Sequence, residues 1–329
     1  MPGFSEFSGF AVKDLNNTLC LRLWRMRSRL EALVREIIED KSSGAAQLTV
    51  KAANAFLKLI EEKPTMKSVK KLVKLLSEAR PSMPSIANMA YRISQIIDEQ
   101  VSEGMDLGEA IEFAVGSAVK EYQSRMSSVV RNASQKLRKY TAILTHSYSS
   151  SVAAALELCE GLRIYVTESR PGFEGRDLAE RLARLGFDVT LIVDSAASYV
   201  LDKGEVDAVI TGCDAILDDC SIVNKIGTKM IALAASEAEV PFTVVTDLWK
   251  AAVHGISLEE HAPEEVYEKK LPGLSSLNPY FEVVPARYIT SFITEEGVFR
   301  PSRLGKRIAK MWSYVPLQGD TSSKRIKII

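Results

Sequence analysis

The chain is organised around the stretch DAVITGCDAILDDCSIVNKIGT, residues Asp207–Thr228. It opens with a short apolar run, Ala208–Ile210, which is typical of a buried parallel strand. Asp214 follows where the carboxyl end of this strand is expected, and ligands of open α/β sheets bind at that edge. A single aspartate after a strand is also a common turn or cap residue, so the pattern alone leaves that alternative open.

The second half of the stretch predicts a helix start. The segment Asn224–Thr228, NKIGT, leads into an apolar helical pattern. A helix start with free backbone N–H groups, next to a lysine such as Lys225, suits a phosphate. A carboxylate and a phosphate cradle on one strand-loop-helix unit indicate a site for a phosphorylated sugar.

Short apolar runs alternate with helical segments on both sides of this stretch, from Tyr140 onward. The alternation predicts a parallel sheet with crossover helices. The pattern is looser after Asp247 and returns with a strand at Phe281–Val284 and a helix at Ala286–Phe292. The other predicted strands are Ala142–Leu144, Arg163–Val166, Val189–Val193, Ala208–Ile210 and Phe242–Val245, and the helices between them are Val152–Cys159, Arg176–Leu185, Ala196–Leu201 and Lys229–Ala238.

The first 139 residues carry apolar side chains at helical spacing. The fold class is therefore α/β: an N-terminal helical bundle, residues 1–139, followed by a Rossmann-like doubly wound parallel sheet domain, residues 140–329. The predicted helices of the bundle are Leu19–Glu39, Ala45–Glu61, Met66–Glu78, Ile86–Glu103 and Glu109–Lys139.

Composition excludes several classes of function. Lys+Arg and Asp+Glu are both 42, so the chain has no net charge that would attract it to nucleic acid or to a membrane surface. No apolar run reaches membrane-spanning length and no signal pattern opens the chain, so we expect a cytoplasmic protein. Four cysteines (Cys20, Cys159, Cys213, Cys220) lack paired spacing and three histidines (His146, His254, His261) do not cluster, so we expect no metal and no cofactor.

Two further segments at predicted strand ends could carry chemistry. Arg170 offers a planar fork for a phosphate, with N–H groups at Gly175, and the alternative is a loop stiffened by a Glu168–Arg170 pair. His146 precedes Ser147, but successive side chains of a strand point to opposite faces, so His146 cannot serve Ser147 as a base. We expect His146 to be buried and hydrogen-bonded.

Several strings together resemble one family. It joins the α, β and δ subunits of translation initiation factor 2B to isomerases of ribose 1,5-bisphosphate and of 5-methylthioribose 1-phosphate. The resemblance extends from about Ser43 to Pro301. The strings are Ala79-Arg80-Pro81-Ser82, Leu144-Thr145-His146-Ser147, Thr167-Glu168-Ser169-Arg170-Pro171, Val193-Asp194-Ser195-Ala196, and Asn278-Pro279 through Ile293-Thr294.

The resemblance implies a set of site residues. Asp214 is the catalytic residue if the chain is active, and the isomerases pair this aspartate with a cysteine where this chain has Ser147. A serine hydroxyl exchanges no proton near neutral pH without an adjacent base. The isomerases also carry Arg-Gly-Ala where this chain has Ser43-Gly44-Ala45. The ligand-binding residues that the resemblance implies are Gly44, Arg80, Ser147, Arg170, Gly175, Asn224 and Lys225.

These departures favour a non-catalytic, archaeal-type relative of the regulatory subunits of initiation factor 2B. It would keep a sugar-phosphate or nucleotide pocket and bind a partner such as initiation factor 2. We expect a homodimer or hexamer, with the apolar segment Phe281–Ile293 as a surface for self-association. The alternatives are an active isomerase of the ribose-1,5-bisphosphate type and a structural oligomer without a ligand. Cys213 and Cys220 are expected to be structural, although either thiol could replace the missing catalytic group.

Overall fold

The computed structural model describes residues 29–40, 43–61, 63–252 and 256–312 of the 329-residue chain. Some predicted features lie outside the described residues: the start of the first predicted helix, Cys20, His254, and the tail from Gln318. None of the helices in the described ranges is both long and apolar enough to cross a membrane.

Five helices precede the sheet in the described part of the chain. Their apolar faces enclose a core in which Phe56 and Leu72 are fully buried. The helix that begins at Met66 starts with a reciprocal capping box between Thr65 and Ser68. Every predicted boundary in the described part of this region lies within two residues of the observed one. The helices are α1 (Arg29–Glu39), α2 (Ala45–Ile60), α3 (Met66–Ala79), α4 (Pro84–Ser102) and α5 (Leu107–Leu137).

Two sheets follow the helices. The strands are β1 (Ala142–Thr145), β2 (Arg163–Thr167), β3 (Asp188–Ile192), β4 (Ala208–Thr211), β5 (Ala215–Ile216), β6 (Ile222–Lys225), β7 (Phe242–Val245), β8 (Phe281–Val284), β9 (Ser291–Thr294) and β10 (Gly297–Phe299). The larger sheet has the order β10-β9-β7-β4-β1-β2-β3, and only β10 runs antiparallel to its neighbour. The chain therefore starts at the centre with β1, moves out to β3, and returns to β4. The doubly wound parallel sheet is confirmed, and its topological switch point lies between β1 and β4.

Helices cover both faces of the larger sheet. Because successive strand residues face opposite sides, Ile143 packs in one layer with α6, α7 and the end of α5, and Leu144 packs in the other with α8, α9 and α10. Both side chains are fully buried. The helices are α6 (Ser150–Leu156), α7 (Glu174–Arg184), α8 (Ala197–Asp202), α9 (Thr228–Glu237) and α10 (Pro301–Trp312).

The smaller sheet joins the two parts of the chain. It is antiparallel, with the order β5-β6-β8. Val223 and Phe281 on one face pack into the core of the N-terminal helices, whereas Ile222 and Val284 on the other face pack against the α9 layer. The helical core thus includes residues from beyond position 139, and the division into domains 1–139 and 140–329 stays a prediction.

Two expectations about the last third of the chain are wrong. Residues Ala286–Tyr288 form a single 3-10 turn, and the remainder of the predicted helix Ala286–Phe292 leads into strand β9. All four residues of β9 are buried, and a short apolar run in sequence fits a buried helix and a buried strand equally. The segment Phe281–Ile293 is also no free apolar surface, because Phe281, Val284 and Ile289 are buried within the protomer.

Candidate functional site

A cleft of about 330 Å³ opens at the switch point. Residues 146–150 after β1 and residues 212–214 after β4 form one wall, and residues 43–47 at the start of α2 face them. The end of strand β6 and residues of several other segments complete the lining: Arg80, Met83, Glu174, Asp177, Lys250, His261, Tyr280 and Phe281. The cleft therefore lies between the N-terminal helices and the carboxyl edge of the sheet, where doubly wound folds bind ligands.

The structure brings most of the predicted site residues together. Six of the eight line the cleft: Gly44, Arg80, Ser147, Asp214, Asn224 and Lys225. Arg170 and Gly175 lie outside the lining. Ser43, which stands where the isomerase pattern has arginine, also lines the cleft at the start of α2.

Asp214 is a carboxyl group of the cleft whose surroundings change its acidity. It follows β4 directly, and its backbone N–H donates to the Val223 carbonyl oxygen over 2.8 Å, which ties it to the smaller sheet. Burial raises the pKa of Asp214 to about 6, against the lowering effect of the Lys250 ammonium. Lys250 itself donates to the Cys213 carbonyl oxygen over 2.8 Å. Asp214 can therefore exchange a proton near neutral pH.

Lys225 is already paired within the chain. Its ammonium donates to Glu174 Oε1 over 2.7 Å and lies 3.3 Å from the centre of the Tyr280 ring. The Tyr280 hydroxyl donates to the same carboxylate oxygen. Burial lowers the pKa of Lys225. Burial alone would raise the pKa of Glu174, but the charge and hydrogen bond of Lys225 outweigh this effect, so the pKa of Glu174 is lowered. Burial and the Glu174 carboxylate raise the pKa of Tyr280, which keeps its hydroxyl a donor.

Arg80 is paired in the same manner. The Nε–H of Arg80 donates to both Glu259 carboxylate oxygens, at a distance of 3.1 Å to each. The Ser82 hydroxyl donates to Glu259 Oε1 at 2.5 Å. A further Arg80 N–H donates to the Asp40 carbonyl oxygen over 3.1 Å. Arg80 therefore clamps the segment that carries Glu259 onto the helical part of the chain, at the edge of the cleft.

Arg170 and Gly175 serve the loop rather than the cleft. Arg170 is exposed, donates to the Val266 carbonyl oxygen over 3.1 Å, and lies 4.8 Å from the centre of the Phe173 ring. A Cβ at Gly175 would lie 1.8 Å from the Thr167 carbonyl oxygen, so the glycine permits close packing of α7 on β2. The alternative of a Glu168–Arg170 pair is not what the described loop shows, because Glu168 pairs with Arg176 at 2.6 Å.

The prediction of a phosphate cradle at the start of α9 is wrong. The backbone N–H groups of Gly227 and Lys229 both donate to Glu282 Oε1, over 2.6 Å and 3.0 Å. The helix start that sequence reasoning left free for an anion is therefore occupied by a carboxylate of β8. Asn224 and Lys225 belong to strand β6 and reach the cleft through their side chains.

His146 is a buried, hydrogen-bonded residue, as predicted. Its Nδ1 lies 2.6 Å from Thr167 Oγ1 and its Nε2 lies 2.9 Å from the Ile226 carbonyl oxygen. Burial lowers its pKa. Ser147 has a φ of 62° and donates its backbone N–H to Ser169 Oγ over 2.8 Å. A positive φ at a non-glycine residue is uncommon and clusters at functional sites, and Ser169 shares it, with a φ of 63°.

The two predicted structural cysteines differ in location. Cys213 lines the cleft beside Asp214, and burial raises its pKa to about 12. Cys220 lies outside the lining, donates to the Pro301 carbonyl oxygen over 3.2 Å, and burial raises its pKa to about 11. Neither thiol is therefore ionised near neutral pH, as a replacement for the missing catalytic cysteine would require.

The sequence patterns do not mark Glu174, His261 and Tyr280, which line the cleft. His261 stacks on Tyr280 with ring centres 3.6 Å apart and an interplanar angle of 8°. These side chains reach the cleft from segments without regular secondary structure or from a helix start, and no spacing pattern marks them. Only Glu174, between Gly172 and Gly175 after a strand, had a local signal.

Comparisons with known proteins agree with this architecture. A model of the initiation factor 2 subunit family matches residues 27–301. The chain is 34% identical over 252 residues to ribose 1,5-bisphosphate isomerase of Methanocaldococcus jannaschii, covering 73% of this chain and 80% of that protein.

Solved structures show the same fold. Translation initiation factor eIF-2B of Pyrococcus horikoshii OT3 matches with a TM-score of 0.72 and 25% identity, over 84% of this chain and 99% of that one. The 5-methylthioribose 1-phosphate isomerase of the same organism matches with a TM-score of 0.68 and 26% identity, over 86% of this chain and 88% of that one. With the family model spanning most of its length, the chain belongs to the initiation factor 2 subunit family.

Proposed function

We propose that the cleft binds a phosphorylated sugar and that Asp214 moves the proton that interconverts its aldose and ketose forms. The observation that carries this proposal is a cleft carboxyl group with a pKa of about 6 at the switch point. Isomerisation needs a base that removes a proton from the carbon beside the carbonyl and returns it to the former carbonyl carbon, while the hydroxyl proton of the first carbon passes to the former carbonyl oxygen. Such a base works best with a pKa near the working pH.

Lys250 supports this chemistry through charge. Among the groups that surround Asp214, its ammonium lowers the pKa of the carboxyl most. A fixed cation beside the base also stabilises the negative charge that develops on the sugar oxygen during proton removal. Relatives named as isomerases of ribose 1,5-bisphosphate and 5-methylthioribose 1-phosphate support the reaction class.

The start of α2 supports a phosphate in the cleft. Residues 43–47 line it, and Gly44, the residue before the helix, provides no side-chain cap for the first N–H groups. Uncapped N–H groups at a helix start favour an anion. In this proposal they bind one phosphate, and Ser147 and Asn224 bind sugar hydroxyls.

The test is turnover by the full chain. Ribose 5-phosphate, ribose 1,5-bisphosphate and 5-methylthioribose 1-phosphate are each incubated with the protein, and ketose is followed by NMR. We expect ketose from at least one sugar, and a loss of at least about a hundredfold in Asp214→Asn. Asp218→Asn, in the exposed turn after β5, is the matched control and should match the unmodified protein. Binding of these sugars without turnover would contradict the isomerase.

A second candidate is favoured by Ser147. It stands where the isomerase pattern has cysteine, and no base lies beside its hydroxyl among the contacts of the described residues. In this candidate the chain is a non-catalytic, initiation-factor-2B-like subunit that binds the sugar phosphate as a signal and binds a protein such as initiation factor 2. This candidate predicts tight binding of a sugar phosphate without formation of ketose. It also predicts a complex with purified initiation factor 2, detected by light scattering, whose amount changes when the sugar phosphate is added.

A further inference from the structure

Glu174 neutralises a cation that a phosphate would otherwise use. Its carboxylate is held by two donors, Lys225 Nζ at 2.7 Å and the Tyr280 hydroxyl. Tyr280 is held in turn between the Lys225 ammonium on its ring and the stacked imidazole of His261. Gly172 leaves room for this arrangement, because a Cβ there would lie 2.6 Å from Glu174 Oε1.

The charges of the cleft are balanced. In the described part of the chain its lining includes three cationic side chains (Arg80, Lys225, Lys250) and three carboxyl groups (Glu174, Asp177, Asp214). Arg80 is paired with Glu259 as well. Each phosphate monoester carries a charge of about −1.5 to −2 at neutral pH, so a ligand with two of them would add strong negative charge to a cleft without excess cations.

We propose that Glu174 is a specificity-determining residue that excludes a phosphate from Lys225, so that the cleft takes a sugar with a single phosphate. This inference rests on the proposed function. The carboxylate lies in the first turn of α7, where the helix dipole favours a negative charge, and it faces the ammonium directly. A second phosphate at Lys225 would have to share the ammonium with the Glu174 carboxylate or displace it, and sharing would place two negative charges side by side.

Calorimetric titration tests the proposal on the full chain. The probes are ribose 5-phosphate and ribose 1,5-bisphosphate, and the measured quantity is the ratio of their dissociation constants. The unmodified protein is expected to bind the bisphosphate no more tightly than the monophosphate. Glu174→Gln keeps the shape and removes the charge, so it should shift the ratio in favour of the bisphosphate by about tenfold to a hundredfold.

The matched control is Glu180→Gln. Glu180 lies on the same helix, pairs with Arg184 at the surface, and lies outside the cleft lining. It should leave the ratio unchanged. A bisphosphate preference of tenfold or more in the unmodified protein would overturn the inference, and this result needs no variant. An unchanged ratio in Glu174→Gln would also overturn it.

The two proposals fail in different ways. If the affinity ratios behave as expected but no ketose forms, the inference stands and the isomerase fails. If the bisphosphate binds most tightly and is converted to ketose, the isomerase stands and the role of Glu174 fails. Absence of binding by both probes, in both the unmodified protein and Glu174→Gln, would contradict both.

Discussion

Replacing Asp214 by asparagine should stabilise the fold at neutral pH, with a defined pH dependence. Burial raises the pKa of this carboxyl from 3.8 to about 6. Asp214 therefore ionises more readily in the unfolded chain than in the folded chain. Its ionisation lowers the free energy of unfolding, which makes the fold less stable. At about 1.4 kcal/mol for each tenfold change in acid dissociation constant, the cost is about 3 kcal/mol above pH 7.

The sign and the pH window follow from these two pKa values. Below about pH 3 the carboxyl is protonated in both states and costs almost nothing. The cost grows as the pH rises from 4 to 6 and is constant above 7. Asparagine, which resembles the protonated acid, should remove it. Asp214→Asn should therefore unfold with a free energy about 3 kcal/mol higher than the unmodified protein at pH 7.5 and about 0.5 kcal/mol higher at pH 4.

Urea unfolding at a series of pH values measures this difference. Asp218→Asn is the control, because Asp218 is exposed in a turn outside the cleft lining. Its effect should be small and should not follow the same pH profile. If Asp214→Asn destabilises the protein at pH 7.5, or if its effect is the same at pH 4 and 7.5, the carboxyl is not held with a raised pKa and the argument for its proton transfer fails.

Three further predictions concern packing and assembly. Gly175→Ala should lower the free energy of unfolding by about 4 kcal/mol or more, because its Cβ would overlap a β2 carbonyl oxygen. Gly116→Ala in α5 is the control and should raise the free energy of unfolding by about 0.5–1 kcal/mol in the same urea assay, because a Cβ there meets open space. Arg80→Met should cost about 3 kcal/mol by leaving the Glu259 charge without its cation. If the double variant with Glu259→Gln recovers none of this, the Arg80–Glu259 pair is not what stabilises the segment. Strand β3 at the edge of the sheet, where Leu191 is 47% exposed, should form a homodimer surface. Leu191→Lys should therefore convert the dimer to a monomer in light scattering, and a variant that remains a dimer would contradict this.

Local patterns predicted the framework of the site. The apolar run Ala208–Ile210 with Asp214 after it was sufficient to place a carboxyl group at a strand end, and the alternation of short runs with helical segments predicted the doubly wound sheet. These features depend on residues that are close in sequence. The helix predicted at Ala286–Phe292 shows the limit, because a buried strand and a buried helix share the same short apolar pattern.

The electrostatics of the site could not be predicted in this manner. Lys225 pairs with Glu174, 51 residues away, and the start of α9 at Gly227 pairs with Glu282, 55 residues away. Each partner reaches its site through tertiary packing that no local spacing reports. The local patterns therefore marked Lys225 and the start of α9 but not the carboxylates that pair with them, Glu174 and Glu282.

The pH dependence of isomerisation reports on the proton transfer by Asp214 itself. Because Asp214 must be ionised to accept a proton, and its pKa is about 6, kcat/KM for the preferred sugar should be low at pH 5, half-maximal near pH 6 and constant above pH 7. The proposal predicts this single ascending limb in the unmodified protein and a loss of at least about a hundredfold at every pH above 6 in Asp214→Asn. A rate that is independent of pH between 5 and 8, or the absence of ketose from a bound sugar phosphate at every pH, would contradict it.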